Sequence, residues 1–161
     1  MAFKFLNKET IHDSEEFYIR KANLTDEDEI DEMFGKYLHA HRVGLPGSIA
    51  LVAIDKKTEN IIGVVERVAN VKEHFAHGVG LIVDAEFHKR GIGTALAKAM
   101  DNELKNIGIK HVTTIATSEG AWKILRENGY EHTAETKAEL KKKGLPEDRF
   151  VEPVQMQKEL K

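Results

Sequence analysis

The sequence predicts a single α/β domain built on a mixed sheet. Three observations carry this. Apolar runs alternate with amphipathic stretches at helical spacing, in the order strand, helix, three strands, helix, strand, helix, two strands. One junction, residues 81–96, passes from an apolar strand through a basic glycine turn into a helix. The 161 residues, 41% hydrophobic and 32% charged, suffice for one domain with a core, and no repeat, low-complexity segment or linker divides them.

Residues 17–22 read as the first strand. A helix begins within residues 23–28. Thr25 can cap it, the acidic residues 26–29 suit the positive end of its dipole, and Ile30, Met33, Phe34, Tyr37 and Leu38 recur at helical spacing. Gly44, Pro46 and Gly47 break the chain. Residues 49–54 form a continuous apolar strand, residues 55–60 a polar turn, and residues 61–69 the hairpin partner. Residues 76–83 add another strand. The helix after Gly93 carries Ile92, Leu96, Met100, Leu104 and Ile107 on one stripe, and Gly108 stops it in the C′ position. Residues 109–117 are a strand rich in β-branched side chains. Ser118 can cap a helix running to about Asn128, with Gly129 as its stop. Tyr130 onward returns to strand. Residues 136–143 read as a short polar helix or an extended arm, ending at Gly144-Leu145-Pro146, and residues 154–158 are the last strand.

Composition excludes several function classes. The formal net charge is −3, which argues against a general nucleic-acid surface. The absence of cysteine rules out disulfides, thiolate metal sites and a cysteine nucleophile. No apolar run approaches the roughly 18 residues of a membrane span. Residues 1–10 lack the apolar region and cleavage site of a signal peptide, so a cytoplasmic location is expected, with neither nucleic acid nor membrane as partner. His74 and His77 are spaced for a helix rather than a strand and have no evident carboxylate partner, so no metal site is expected. Lys141, Lys142 and Lys143 read as a solvated face.

The junction Leu81-Ile82-Val83-Asp84-Ala85-Glu86-Phe87-His88-Lys89-Arg90-Gly91-Ile92-Gly93-Thr94 carries the chemistry. A glycine turn presents backbone N–H groups in one direction, and the new helix adds its unpaired N–H groups and the positive end of its dipole. Together they suit a phosphate or pyrophosphate. His88, Lys89 and Arg90 add positive charge, and Gly91 and Gly93 keep side chains away from an approaching anion. No Walker loop is present, and the dinucleotide fingerprint fails because Leu96 stands where Gly or Ala is needed.

Val83, Gly91 and Gly93, with His88 in the Gln/Arg place, resemble the acetyl-CoA signature of the GNAT superfamily of N-acetyltransferases. Ala121, Ile124, Gly129 and Tyr130 resemble that family's second motif, in the right order. The resemblance implies one GNAT domain over residues 1–161, with its core at about residues 17–160 and a mostly antiparallel sheet flanked by helices. It implies acetyl transfer from acetyl-CoA, as co-substrate and without a metal, to a primary amine that attacks the thioester directly. The acceptor would be a small molecule, a peptide or a protein, and relatives commonly form homodimers.

The resemblance also implies roles. Main-chain N–H groups of residues 88–94 (His88, Lys89, Arg90, Gly91, Ile92, Gly93 and Thr94) would take the pyrophosphate. The strand end at Leu81, Ile82 and Val83 would pair with the pantetheine amides, and the Val83 N–H would polarise the thioester carbonyl. An alkylamine has a pKa near ~10.4 and needs a base. His77, six residues before Val83 where some members place a carboxylate, is the candidate, with His74 and Glu73 weaker. Leu125 stands where the family's tyrosine acid is expected, which also motivates an alternative: a non-catalytic acyl-CoA-binding or regulatory module on the same fold. Ser118 either assists near the cofactor or caps its helix. Trp122 either shapes the acceptor pocket or packs in the core, and Tyr130 reads as packing. His39, His41 and Arg42 either line a site for an acidic acceptor or sit on a solvated helix end.

Overall fold

The computed structural model describes residues 10–36, 45–151 and 153–161. Among them lie eight strands in one sheet, ordered β1-β2-β3-β4-β5-β6-β8-β7. The strands are β1 (Thr10–Asp13), β2 (Phe17–Lys21), β3 (Ser48–Asp55), β4 (Ile61–Asn70), β5 (Phe75–Val83), β6 (His111–Ala116), β7 (Glu131–His132) and β8 (Val154–Glu159). The helices are α1 (Glu27–Lys36), α2 (Ile92–Asn106), α3 (Glu119–Glu127) and α4 (Ala134–Lys142). Every neighbouring pair is antiparallel except β5 and β6, which run parallel.

Each face of the sheet buries its own core, because side chains alternate along every strand. On one face, Ile19, Leu51, Val65 and Val112 meet Leu96, Met100 and Leu104 of α2 and Leu125 of α3. On the other face, Val52, Val64 and Ile82 meet Ile30, Met33 and Phe34 of α1. Covering on both sides explains why β3 and β4 read as continuous apolar runs.

Local signals place the helices. A capping box starts the turn ahead of α1. Its N-cap is Asn23 rather than Thr25: the Asn23 side chain accepts from the Thr25 N–H, and Asp26 accepts from the Asn23 N–H at 2.9 Å. Asp26 also receives Arg20 of β2 through two hydrogen bonds of 2.7 and 2.9 Å, which ties helix entry to the sheet. Gly108 and Gly129 both adopt φ of 90°, the left-handed state expected after a helix end. The region read as helix or arm is helical, as α4, and Leu140 is its buried residue.

Three details depart from the sequence reading. β1 carried no strand signal, being a short edge strand with only partly buried side chains. The strand from Tyr130 is only two residues long, and Tyr130 itself is buried in the core. Ile107 belongs to the stripe by spacing but is 39% exposed, because α2 has ended and the chain is turning. Tyr37, Leu38, His39, His41, Arg42 and Gly44 lie outside the described residues. No helix among the described residues is long and apolar enough to cross a membrane.

Beyond α3, the Trp122 indole N–H donates to His132 Nε2 at 2.8 Å, and His132 Nδ1 donates to the Glu147 carbonyl at 2.9 Å. Trp122→Phe leaves a buried imidazole nitrogen unsatisfied and should lower stability by about 1–3 kcal/mol in urea unfolding. Burial opposes ionisation of Asp26, but Arg20 and the Asn23 N–H outweigh it and hold the carboxyl below the usual aspartate value. A depressed folded-state pKa gives stability above the unfolded value of about 3.9, which is lost as pH falls. Asp26→Asn should therefore be less stable than wild type at pH 7, and the difference should shrink in unfolding curves recorded below about pH 4.

Candidate active site

The sheet opens between β5 and β6. Their parallel pairing comprises three rungs, Phe75↔His111, Ala76↔Val112 and His77↔Thr113. Beyond them β5 continues to Val83 along β4, and β6 continues to Ala116 along β8, without pairing to each other. The result is a wedge whose apex lies at His77 and Gly78 and whose mouth lies at Val83.

Two local features shape it. The β4–β5 register shifts between Glu66, opposite Gly80, and Arg67, opposite Gly78, so Val79 is an extra residue that bulges the strand. Bulges bend a strand and increase its twist. At the apex, a Cβ on Gly78 would stand 2.1 Å from Thr114 Oγ1, so this position accepts only glycine.

Backbone directions follow from the ladder. The Asp84 N–H donates to the Ile62 carbonyl at 2.9 Å. Antiparallel strands alternate bonded and non-bonded pairs, so Ile82 directs its N–H and C=O toward β4, whereas Leu81 and Val83 direct theirs into the wedge. Ile82, expected among the cofactor-binding residues, instead packs its side chain under α1 and spends its backbone groups on β4.

At the mouth, His88 Nε2 donates to the Val83 carbonyl at 2.8 Å, stapling the turn to the strand end. Lys89 and Gly91 take φ of 65° and 78°, winding the chain into α2. Gly91 is the N-cap and offers no side-chain hydrogen bond, which leaves the first N–H groups of α2, those of Ile92, Gly93 and Thr94, open at the helix end. Ile92 buries its side chain in the core. Gly93 has a packing role as well: a Cβ there would stand 2.6 Å from Ile124 Cδ1, so its lack of a side chain serves the α2–α3 crossing. Arg90 lies over the Phe87 ring and pairs with Glu16 at 3.5 Å.

The remaining candidates separate. His77 is exposed on the α1 face, at the last paired rung. His74 sits in the β4–β5 turn with Nδ1 bonded to the Gly108 carbonyl at 3.0 Å, and Glu73 is in the same turn, so neither reaches the wedge. Ser118 Oγ accepts from the Ala121 N–H at 3.2 Å and caps α3. Trp122 is buried in the core, packed on His132 and Phe150. Leu125 is 2% exposed in the core. No group of His, Asp or Glu that could hold a metal occurs among the described residues.

Two residues escaped the sequence reading. Glu66 and Arg67 are adjacent charges in an apolar strand, with exposures of 0% and 1%. The Glu66 carboxylate lies on the α1 face beside the bulge and accepts from Ser48 Oγ at 2.5 Å. Arg67 points to the opposite face, its Nη1 lying 3.3 Å from where a Gly78 Cβ would stand. Nearby, Tyr130 donates to Asp101 at 2.8 Å. Burial and Asp101 push the Tyr130 phenol well above its usual range, against the lowering effect of Arg67. The signal was the charged pair itself, which interrupts an otherwise apolar run.

No curated protein matches the chain. Among solved structures, it is similar to the ribosomal-protein-S5-alanine acetyltransferase from Vibrio fischeri, at 17% identity and a TM-score of 0.67, with 92% of this chain and 95% of that one covered. It is similar to phosphinothricin acetyltransferase from Sinorhizobium meliloti in complex with AcCoA, at 15% identity and a TM-score of 0.67, covering 91% and 89%. It is also similar to a GNAT-family acetyltransferase from Streptococcus pneumoniae, at 14% identity and a TM-score of 0.68, covering 91% and 100%. These likenesses show a shared fold. The family model "Acetyltransferase (GNAT) family" matches residues 9–130, and the chain therefore belongs to the GNAT acetyltransferase family.

Proposed function

We propose that this protein transfers an acetyl group from acetyl-CoA to a primary amine, by direct attack of the amine on the thioester. The observation that carries this reading is the wedge between β5 and β6, with the uncapped start of α2 at its mouth. Open N–H groups at a helix end fit a pyrophosphate. The edge of β5, with Leu81 and Val83 facing the gap, fits an arm containing amides, which it would bind as an added strand.

Acetyl-CoA supplies an activated acyl carbon; the chain's residues hold, polarise and deprotonate. The N–H groups of Ile92, Gly93 and Thr94 hold the phosphates, with positive charge from Lys89 and Arg90. Leu81 lies closer than Val83 to His77 and the bulge, by two residues or about 7 Å. The Leu81 N–H is thus better placed to polarise the thioester carbonyl, and the Val83 N–H to hold an amide of the arm. His77, exposed at the apex on the α1 face, receives the amine proton directly or through water. His88 holds the turn in place by its bond to Val83. The named acceptors of the structural neighbours, a ribosomal-protein alanine and phosphinothricin, differ from each other, so the shared fold leaves this chain's acceptor open between small amines and peptide amines.

A second reading, an acyl-CoA-binding module without catalysis, is favoured by one observation. Leu125 is buried in the core, so this position supplies no proton donor. Thiol release from acetyl-CoA against a panel of amines and peptides, with calorimetric binding as control, separates the two. Acceptor-dependent release establishes transfer; binding without release from any acceptor favours the module.

Gly91→Glu should weaken acetyl-CoA binding at least about 100-fold in calorimetry, by placing a carboxylate at the helix end. Gly91→Asn, which tolerates the left-handed backbone, should retain binding; equal loss in both variants would assign the effect to strain instead. His77→Ala should lower kcat on the order of 10²-fold at pH 7 and shift the pH–rate profile, leaving acetyl-CoA affinity unchanged. An unaltered rate and profile would remove His77 from the mechanism.

A further inference from the structure

One titratable ring stands at the mouth of the wedge, between the end of β5 and the start of α2. His88 Nε2 lies 2.8 Å from the Val83 carbonyl oxygen. A carbonyl only accepts, so Nε2 carries the proton of the neutral ring. Nδ1 is then the bare nitrogen, and it meets no hydrogen-bond partner among the described residues. A proton added at Nδ1 leaves the bond to Val83 intact, so the turn need not rearrange when the ring becomes a cation.

Val83 joins this ring to the open helix end. Its carbonyl faces into the wedge and takes the imidazole, and its Cγ2 is 3.6 Å from where a Gly93 Cβ would stand. Gly93 is one of the three residues whose N–H groups are open at the start of α2. A single residue therefore separates the imidazole from those donors. In the reading above, on which this inference rests, they hold the phosphates of coenzyme A.

The other charges around the turn balance one another. Arg90 is paired with Glu16, between β1 and β2, at 3.5 Å. Asp84 is paired with Lys36 of α1 at 3.8 Å. On α3, which crosses α2 at Gly93, Glu119 is paired with Lys123 at 3.8 Å. Glu86 and Lys89 remain, one of each sign. The positive end of α2 opposes a further cation in the free protein, and a bound pyrophosphate reverses that balance.

We propose that coenzyme A binding takes up a proton from solvent at His88 Nδ1, which makes this histidine a charge-compensating residue of the pyrophosphate site. A lysine or arginine here would be charged with or without the ligand. Imidazole ordinarily titrates at about pH 6.5, so its charge follows the ligand. The sign follows from linkage. The anion favours the protonated ring, so the protonated protein binds the anion more tightly. The gain is full well below about pH 6.5 and fades as pH rises through the titration of the bound ring.

Calorimetry of coenzyme A binding in buffers of different ionisation enthalpy counts the protons. The 3′-phosphate monoester of coenzyme A itself titrates near about pH 6, so the count is read as the difference between wild type and His88→Gln. Glutamine keeps an N–H donor for Val83 and does not titrate. At pH 7 wild type should take up about half a proton more per coenzyme A than His88→Gln, as a rise of about one unit from about 6.5 gives. Between about pH 5.5 and about pH 8.5 wild-type affinity should fall by up to about tenfold relative to that variant. His88→Arg should bind as tightly as protonated wild type, with no more pH dependence than His88→Gln. Equal proton counts in wild type and a folded His88→Gln overturn the proposal. If the glutamine variant misfolds, wild type with dephospho-coenzyme A, which has no phosphate monoester, decides. Uptake of about half a proton then supports the proposal and none overturns it. If wild type binds neither ligand at any pH, the functional reading itself fails, and that outcome is visible before any proton is counted.

Discussion

The interruption of pairing between β5 and β6 is the constraint on which the rest of the molecule depends. A sheet strand normally pairs along its whole length, because an unpaired backbone group removed from water is costly. Here three rungs form and the ladder stops. The bulge at Val79 turns β5 away, while continuous pairing with β4 keeps it in the sheet. Thr114 packs onto Gly78 and closes the sheet immediately below the opening. The unpaired edge is therefore held open by its neighbours and directs the N–H groups of Leu81 and Val83 into one gap.

α2 links that gap to the core. Its inner face, Ile92, Leu96, Met100 and Leu104, is buried against the sheet. That burial anchors the helix by its apolar stripe, so its N-terminus need not be capped to be fixed in place. The absence of a side-chain cap at Gly91 leaves open the donors a phosphate would use. His88 completes the arrangement by joining the turn to the last carbonyl of β5. The same residues that hold the helix on the sheet thus set the distance between the anion end and the strand edge.

Polar groups buried at the centre set the chemistry apart from ordinary packing. β4 places Glu66 on one face and Arg67 on the other, so the two faces of the wedge differ in charge. Glu66 lies on the face of His77, where an amine proton would depart. Arg67 lies on the face of α2 and α3. Such groups weaken a core relative to apolar replacements of similar volume.

Much of this was legible in the sequence because it depends on near neighbours. Helical spacing, left-handed glycines after helices, Ser118 as a cap and the glycine turn at Gly91 all act within a few residues, and the element order followed from them. The faces of His77 and Ile82, the second role of Gly93, the core position of Trp122 and the meaning of Glu66 and Arg67 were decided by tertiary structure. Each depends on which strand lies alongside and in what register, and one extra residue at Val79 exchanges the faces of all that follow. Periodicity reports that a side chain is inside; only the completed sheet decides which inside it shares.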